Sequence, residues 1–162
     1  MNKVIGFIAV IVLSISAFAT QATTLSVDFS LPKFGDKNYR KPYVAIWAEH
    51  KGESDNLLLW HLTKHKGKSD KWLPDLRRWW RKEGRYAEQK FDGITGATKG
   101  AGDYNLDLDI SKLPKKFTLF IEVVREKGGR SIVRQKIDLS QAANNFTIAA
   151  TEELGEVKLS IK

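Results

Sequence analysis

The run YNLDLDI, residues 104–110, alternates without a break: Tyr104, Leu106, Leu108 and Ile110 fall on one side, Asn105, Asp107 and Asp109 on the other. A helix, turning about 100° per residue, would scatter those acids round its circumference. A strand with one face on a core and one in water keeps them together. The same rhythm recurs outward along the chain. TLSVDFSLP (24–32) puts Leu25, Val27 and Phe29 on one face, and PYVAIWAEH (42–50) sets Val44, Ile46 and Ala48 opposite Tyr43, Ala45 and Trp47. NLLLWHLTKH (56–65) continues the pattern. FTLFIEVVRE (117–126) and SIVRQKIDLS (131–140) flank Lys127-Gly128-Gly129-Arg130, a hairpin signal, and NFTIAAT and EVKLSIK follow, with Gly155 between them. Roughly eight strands with regularly spaced turn residues predict an all-β, two-sheet antiparallel sandwich, immunoglobulin- or fibronectin-like.

Two stretches interrupt the rhythm. In KWLPDLRRWWRKEGR (71–85), Pro74 fits a first helical position, Asp75 favours the positive helix start and Gly84 closes the end. A short helix is expected there, with Trp72, Leu76 and Trp79 or Trp80 on one face and Arg77, Arg78, Arg81 and Lys82 on the other. FDGITGATKGAGDY (91–104) reads as a long Gly-rich loop between strands.

The N-terminus predicts export. Residues 1–22 carry one cation, Lys3, then an apolar run from Val4 to Leu13 and small residues, with cleavage expected after Ala19 or Ala22. The apolar run is short for a bilayer span, which needs about 20 residues. Residues 23–162 form one domain in this reading, with no second apolar run and no transmembrane segment in the mature chain. Loss of Lys3 leaves 26 basic against 19 acidic residues, a net of +7. That balance suits an acidic partner, a phosphate or an anionic surface, and export argues against nucleic acid. With no cysteine, the chain forms no disulfide, thiolate-held iron–sulfur cluster, c-type haem link or lipidated N-terminal cysteine.

The Gly-rich loop is not a Walker loop, because Lys99 precedes Gly100 instead of following it and no Ser or Thr comes next. The residues after Gly102 read as a strand, so the helix that a dinucleotide fingerprint requires is missing. DGITGAT (92–98) resembles the acceptor motif of covalently flavinylated bacterial proteins: Asp, two variable residues, Ser or Thr, Gly, Ala, then Ser or Thr. That group includes the C subunit of the sodium-pumping NADH:quinone oxidoreductase. The resemblance implies that a flavin transferase, with FAD as donor, joins FMN through its phosphate to Thr98, recognising Asp92, Thr95, Gly96 and Ala97. Across nearly all the mature sequence, and most clearly in KPYVAIWAE, KWLPDLRRWWR and DGITGATKGAG, the chain also resembles domain-of-unknown-function family 2271. That resemblance implies a periplasmic protein that partners a membrane redox protein.

Elementary chemistry accompanies the motif. A threonine hydroxyl is a weak nucleophile and needs a base and a metal that the transferase would bring, so the acceptor must be presented to another enzyme. A long pliable loop can do this and a strand in a sheet cannot, and Gly93, Gly96, Gly100 and Gly102 allow unusual backbone angles. Lys99 and the Gly100 amide are candidates for the phosphate, and Arg77, Trp79 and Trp80 for phosphate or flavin contacts. Core packing is the competing role for these tryptophans, and a solvated face for the arginines. His61 and His65 would lie about 13 Å apart along a strand, too far to share a metal unless the strand ends between them, and His50 stands alone. Asp103, Asp107 and Asp109 read as outward acids rather than calcium ligands. No catalytic residue and no hydrolase constellation emerges. Two functions follow: an extracytoplasmic electron carrier with FMN on Thr98 and no substrate turnover of its own, or a flavin-free binding module for an acidic protein, glycan or membrane component.

Overall fold

The structure, a computed structural model, describes residues 23–35, 37, 39–62, 70–86, 94–141 and 145–162. The expected signal peptide, His65, Asp92 and Gly93 lie outside them. Strands β1 (Thr24–Leu31), β2 (Tyr43–His50), β3 (Glu53–His61), β4 (Thr95–Ala97), β5 (Gly102–Asp109), β6 (Lys116–Val124), β7 (Arg130–Asp138), β8 (Asn145–Ile148) and β9 (Val157–Ile161) form two sheets. The first has the order β5-β1-β9-β8, the second β4-β3-β2-β6-β7. The two-sheet sandwich is therefore as expected. Its first strand pairs with both β5 and β9, unlike the ABED–CFG order of an immunoglobulin constant domain.

The alternation of β5 has its predicted consequence. Leu108 and Ile110 are buried, Tyr104 and Leu106 half-buried, and Asp107 and Asp109 exposed. Opposite β5, Leu25 faces Leu108 and Val27 faces Leu106. The inner faces of the two sheets meet in one hydrocarbon core that includes Val27, Ile46, Leu119, Ile121 and Leu159. The β6–β7 hairpin turns at Lys127, whose φ of 59° is left-handed.

Both faces of β2 are buried. Val44, Ile46 and Ala48 enter the main core, whereas Tyr43, Ala45 and Trp47 join Leu59, Leu76, Trp79 and Phe120 in a second cluster outside the five-stranded sheet. The helical segment closes that outer face. It is not one helix but a 3-10 turn (Leu73–Asp75), a helix α1 (Arg77–Lys82) and a second 3-10 turn (Gly84–Tyr86). The break falls at Leu76, whose ψ of 71° is not helical; the residue is wholly buried, so packing overrides helix continuity. Burial of a Leu or Trp side chain of this kind contributes about 1.5–3 kcal/mol. The buried carboxylate of Glu122 on β6 caps the restart, accepting the backbone N–H groups of Arg78 (3.3 Å) and Trp79 (2.9 Å) and the Arg130 Nε–H (2.6 Å).

The Gly-rich stretch departs from a pure loop. Thr95–Ala97 form β4, parallel to β3, with Leu59 opposite Thr95 and His61 opposite Ala97. Backbone pairing that no periodicity announces makes this segment a sheet edge. Of the glycines expected to need unusual angles, Gly102 has one (φ 149°). Gly96 stands in a tight place instead: a Cβ there would sit 3.2 Å from Cδ1 of Trp60.

Candidate functional site: the cavity at Thr98

Thr98 follows β4 directly. Its N–H donates to the carbonyl of His61 (3.2 Å), and the Leu59 N–H donates to the Ile94 carbonyl (2.9 Å), so both ends of β4 are tied to β3. Thr98 itself is half-buried, not part of either hydrophobic cluster. It lines a cavity of about 240 Å³ with Tyr39, Arg40 and Lys41 from the approach to β2, Tyr43 at its start, Leu62 past the end of β3, and Glu126 past the end of β6.

The walls differ in how their polar atoms are satisfied. Tyr43 Oη donates to Asp70 Oδ1 (3.2 Å). Asp70, with 3% of its side chain exposed, also accepts the backbone N–H groups of Leu62 and Trp72 (both 3.1 Å) and lies 3.3 Å from His61 Nδ1. Burial first, and then the Asp70 charge, hold the Tyr43 phenol protonated well above the usual tyrosine range. That wall is fixed. Arg40 Nε lies 3.9 Å from Glu126, a long pair between an exposed arginine and a half-buried glutamate. Lys41 is exposed and has no ionic partner among the described residues. The Tyr39 hydroxyl is buried with no hydrogen-bond partner among them. Burial raises its pKa, against the charge of Arg125 and the adjacent Ala101 backbone.

The residues nominated beside the motif lie elsewhere. Lys99 Nζ sits 5.0 Å from the Trp60 ring centroid and 5.8 Å from that of Tyr104, a cation–π position, and it does not line the cavity. The Gly100 carbonyl accepts the Tyr104 hydroxyl (2.7 Å). Trp79 is 0% exposed, its indole N–H given to Asn56, and offers no face for a flavin to stack on. Trp80 is half-buried beside it, and Arg77 is exposed on α1; neither reaches the Thr98 cavity. The reason is shared: the aromatics of α1 are used in sealing the outer face of the sheet. Arg78 is also engaged, bidentate on Glu49 (3.0 and 2.8 Å) and 4.2 Å above the Phe120 ring. His50 Nε2 lies 2.6 Å from Asp55, and Asp107 lies 3.5 Å from Lys162 Nζ.

Tyr39, Arg40 and Lys41 carried no signal in the sequence. They stand more than fifty residues from Thr98 in a segment without periodicity, and only the entry into β2 brings them to it.

The profile of the family described as "predicted periplasmic protein (DUF2271)" matches residues 24–156, nearly the whole sandwich. No curated protein matches the sequence. Among solved structures, 86% of this chain aligns with human GIVD cytosolic phospholipase A2 in complex with methyl gamma-linolenyl fluorophosphonate, at 11% identity and a TM-score of 0.32. It spans 17% of that chain, and no chemistry transfers at that distance.

Proposed function

The chain belongs to domain-of-unknown-function family 2271, the predicted periplasmic proteins, and from that premise we propose that it is an exported carrier of covalent FMN, attached through a phosphoester to Thr98. One observation carries the reading. The last residue of the motif, Thr98, directly follows an edge strand, outside both hydrophobic clusters, on a cavity lined also by Arg40, Lys41 and Glu126. A half-buried threonine that shares a cavity with an arginine and a lysine fits attachment of a phosphodiester.

The Thr98 hydroxyl, deprotonated by a base of the flavin transferase, attacks the FMN phosphorus of FAD. The new bond is Thr98 Oγ1–P, the pyrophosphate P–O bond breaks, and AMP leaves. Thr98 lies one residue past a three-residue edge strand paired on one side only, to β3, so in this reading the non-strand stretch 98–101 presents the hydroxyl. When bound, the flavin supplies one- and two-electron transfer, and the chain supplies its attachment, position and exclusion of water. A membrane redox protein is the partner that this role requires.

Intact mass after co-expression with a flavin transferase tests the proposal. The expected product gains one FMN less water, keeps its yellow colour on denaturation, and loses both in Thr98→Ala. An unmodified mass beside a transferase that labels a known acceptor rules it out.

A second reading has its own support. Arg77, Arg81, Lys82 and Arg85 are exposed on and after α1 and form no salt bridge within 4 Å among the described residues, and the last three line a cavity of about 430 Å³ with Tyr86. This face suits an acidic partner and would serve a flavin-free binding module if Thr98 stays unmodified.

A further inference from the structure

The β2–β3 hairpin turns through two residues, Lys51 (φ 45°) and Gly52 (φ 89°), both left-handed. Gly52 shares a cavity of about 430 Å³ with Arg78, Arg81, Lys82, Arg85 and Tyr86 at the end of α1. A Cβ added at Gly52 would meet nothing within 4 Å, so the turn does not fill that space. Four of the six lining residues are cations and none is a carboxylate. The nearby acids are used elsewhere. Glu49 is held bidentate by Arg78 and also feels the charge of Lys82, Glu83 accepts from Ser54 and Asn56, and Asp55 lies 2.6 Å from His50. Glu53, just after the turn, is exposed and does not line the cavity. Arg81, Lys82 and Arg85 are exposed and form no salt bridge within 4 Å among the described residues. Gathering like charges round one space repels the folded chain, and packing does not require it of exposed side chains. Tyr86 beside them is 69% exposed, with the Arg85 guanidinium 4.9 Å from its ring centroid. Tyrosine and arginine are residues that protein interfaces concentrate.

We propose that this end of α1 docks a carboxylate-rich segment of a partner protein, received by Arg81, Lys82 and Arg85. This rests on the basic face of the second reading above and on nothing at Thr98. Charge fixes the sign of the partner, and shape selects its class. A guanidinium fork meets a carboxylate with two parallel N–H···O bonds, so two arginines and a lysine serve successive acids of one extended segment. A bilayer presents a plane, whereas these cations line a hollow. Beside Tyr86 there is also little apolar surface to enter a membrane: Leu62, the other exposed large hydrophobic residue among those described, lines the Thr98 cavity instead. The two sites stand at opposite ends of β2, with Tyr43 on the Thr98 cavity at its start and the Lys51–Gly52 turn after its last residue, His50. At about 3.3 Å per residue that strand spans roughly 23 Å. The docked segment and the Thr98 hydroxyl therefore do not compete for space.

Fluorescence anisotropy of a dye-labelled polyglutamate peptide, titrated with the Thr98→Ala protein, tests the site with no flavin present. The expected binding weakens as salt rises. It weakens about tenfold or more when Arg81→Gln, Lys82→Gln and Arg85→Gln are combined. A control combining Lys112→Gln, Lys115→Gln and Lys136→Gln removes the same charge from other exposed positions and should change binding less than about twofold. All six side chains are exposed, so both triple variants keep the fold, checked by circular dichroism. Equal weakening in the two triple variants would mean that net charge attracts the peptide, and it overturns the docking site. Vesicles of phosphatidylglycerol and phosphatidylcholine separate the classes of partner. If they bind through the α1 cations and the peptide does not bind, the protein segment is overturned while the basic-face reading stands. If neither binds, both fall.

Discussion

Arg125 touches two polar regions that are built in opposite ways. On one side it forms a buried pair with Glu153: Nε lies 3.0 Å from Oε2, a second guanidinium nitrogen lies 3.1 Å from Oε1, and the two side chains are 7% and 1% exposed. Glu153 also accepts the Gly129 N–H (2.6 Å), while its own N–H donates to Ser131 Oγ (2.9 Å). Each of these bonds joins the β6–β7 hairpin to the connection between β8 and β9. On the other side Arg125 backs the Tyr39 ring, and beyond it lie a hydroxyl without an acceptor and a lysine without a carboxylate. Where polar groups serve the fold alone, this protein saturates them. Among the described residues the Tyr39 hydroxyl is the one buried side-chain polar atom without a hydrogen-bond partner, and Tyr39 is also one of the residues lining the Thr98 cavity.

The saturated side should break hardest. Glu153→Ala takes the Glu153 carboxylate away from the buried Arg125 guanidinium, and the expected loss is about 3–5 kcal/mol in urea unfolding. The double variant Arg125→Met, Glu153→Leu should recover much of that loss, since apolar replacement of a whole buried pair is often close to neutral. A single-variant loss under about 1 kcal/mol would mean that the pair is not the clasp its geometry indicates. Glu122 is the next test. Glu122→Gln gives up a charge-assisted bond from Arg130 and weakens the cap on Arg78 and Trp79, at about 2 kcal/mol. The near-ultraviolet dichroism of the Trp79–Trp80 pair, whose ring centroids lie 6.4 Å apart, should weaken with it.

The same contrast explains which parts were legible in the sequence. β5 was, because one of its faces meets water and the polar residues mark it. β2 was legible as a strand but not as a doubly buried one: Tyr43-Val-Ala-Ile-Trp-Ala48 is apolar on both sides, and periodicity cannot say what covers the second face. The break at Leu76 depends on burial against the outer sheet, a tertiary demand that local propensity does not contain. β4 exists because β3 offers an edge, and Thr-Gly-Ala carries no strand signature of its own. Thr98 was legible through its motif, while the groups around it come from distant segments. Lys99, the neighbour in sequence, turns to Trp60 instead.

The finest test lies under α1, where two carboxylates sit on opposite sides of the saturation line. Burial lifts the Glu49 pKa, but hydrogen bonds from Arg78 and Trp47 and the charges of Arg78 and Lys82 outweigh it, leaving the group below its ordinary value of 4.5. Burial also lifts Glu83, and here bonds from Ser54 and Asn56 do not overcome it, with Asp55 and Glu49 adding repulsion; its pKa ends above 4.5. The signs then separate. A depressed acid releases its proton more readily when folded, so the stability Glu49 contributes is present above the unfolded pKa and is lost as pH falls through the folded one. A raised acid holds its proton longer when folded, so Glu83 favours folding at low pH and that contribution is lost as pH rises from about 4.5 through its folded value. Glu49→Gln should therefore flatten the acid limb of a Tm-against-pH curve between pH 3 and 5. Glu83→Gln should steepen the net rise of stability with pH above 4.5, because it removes the one opposing slope of the two. If both substitutions change the curve in the same direction, Arg78 is not holding Glu49 ionised, and the outer face is not wired as its geometry implies.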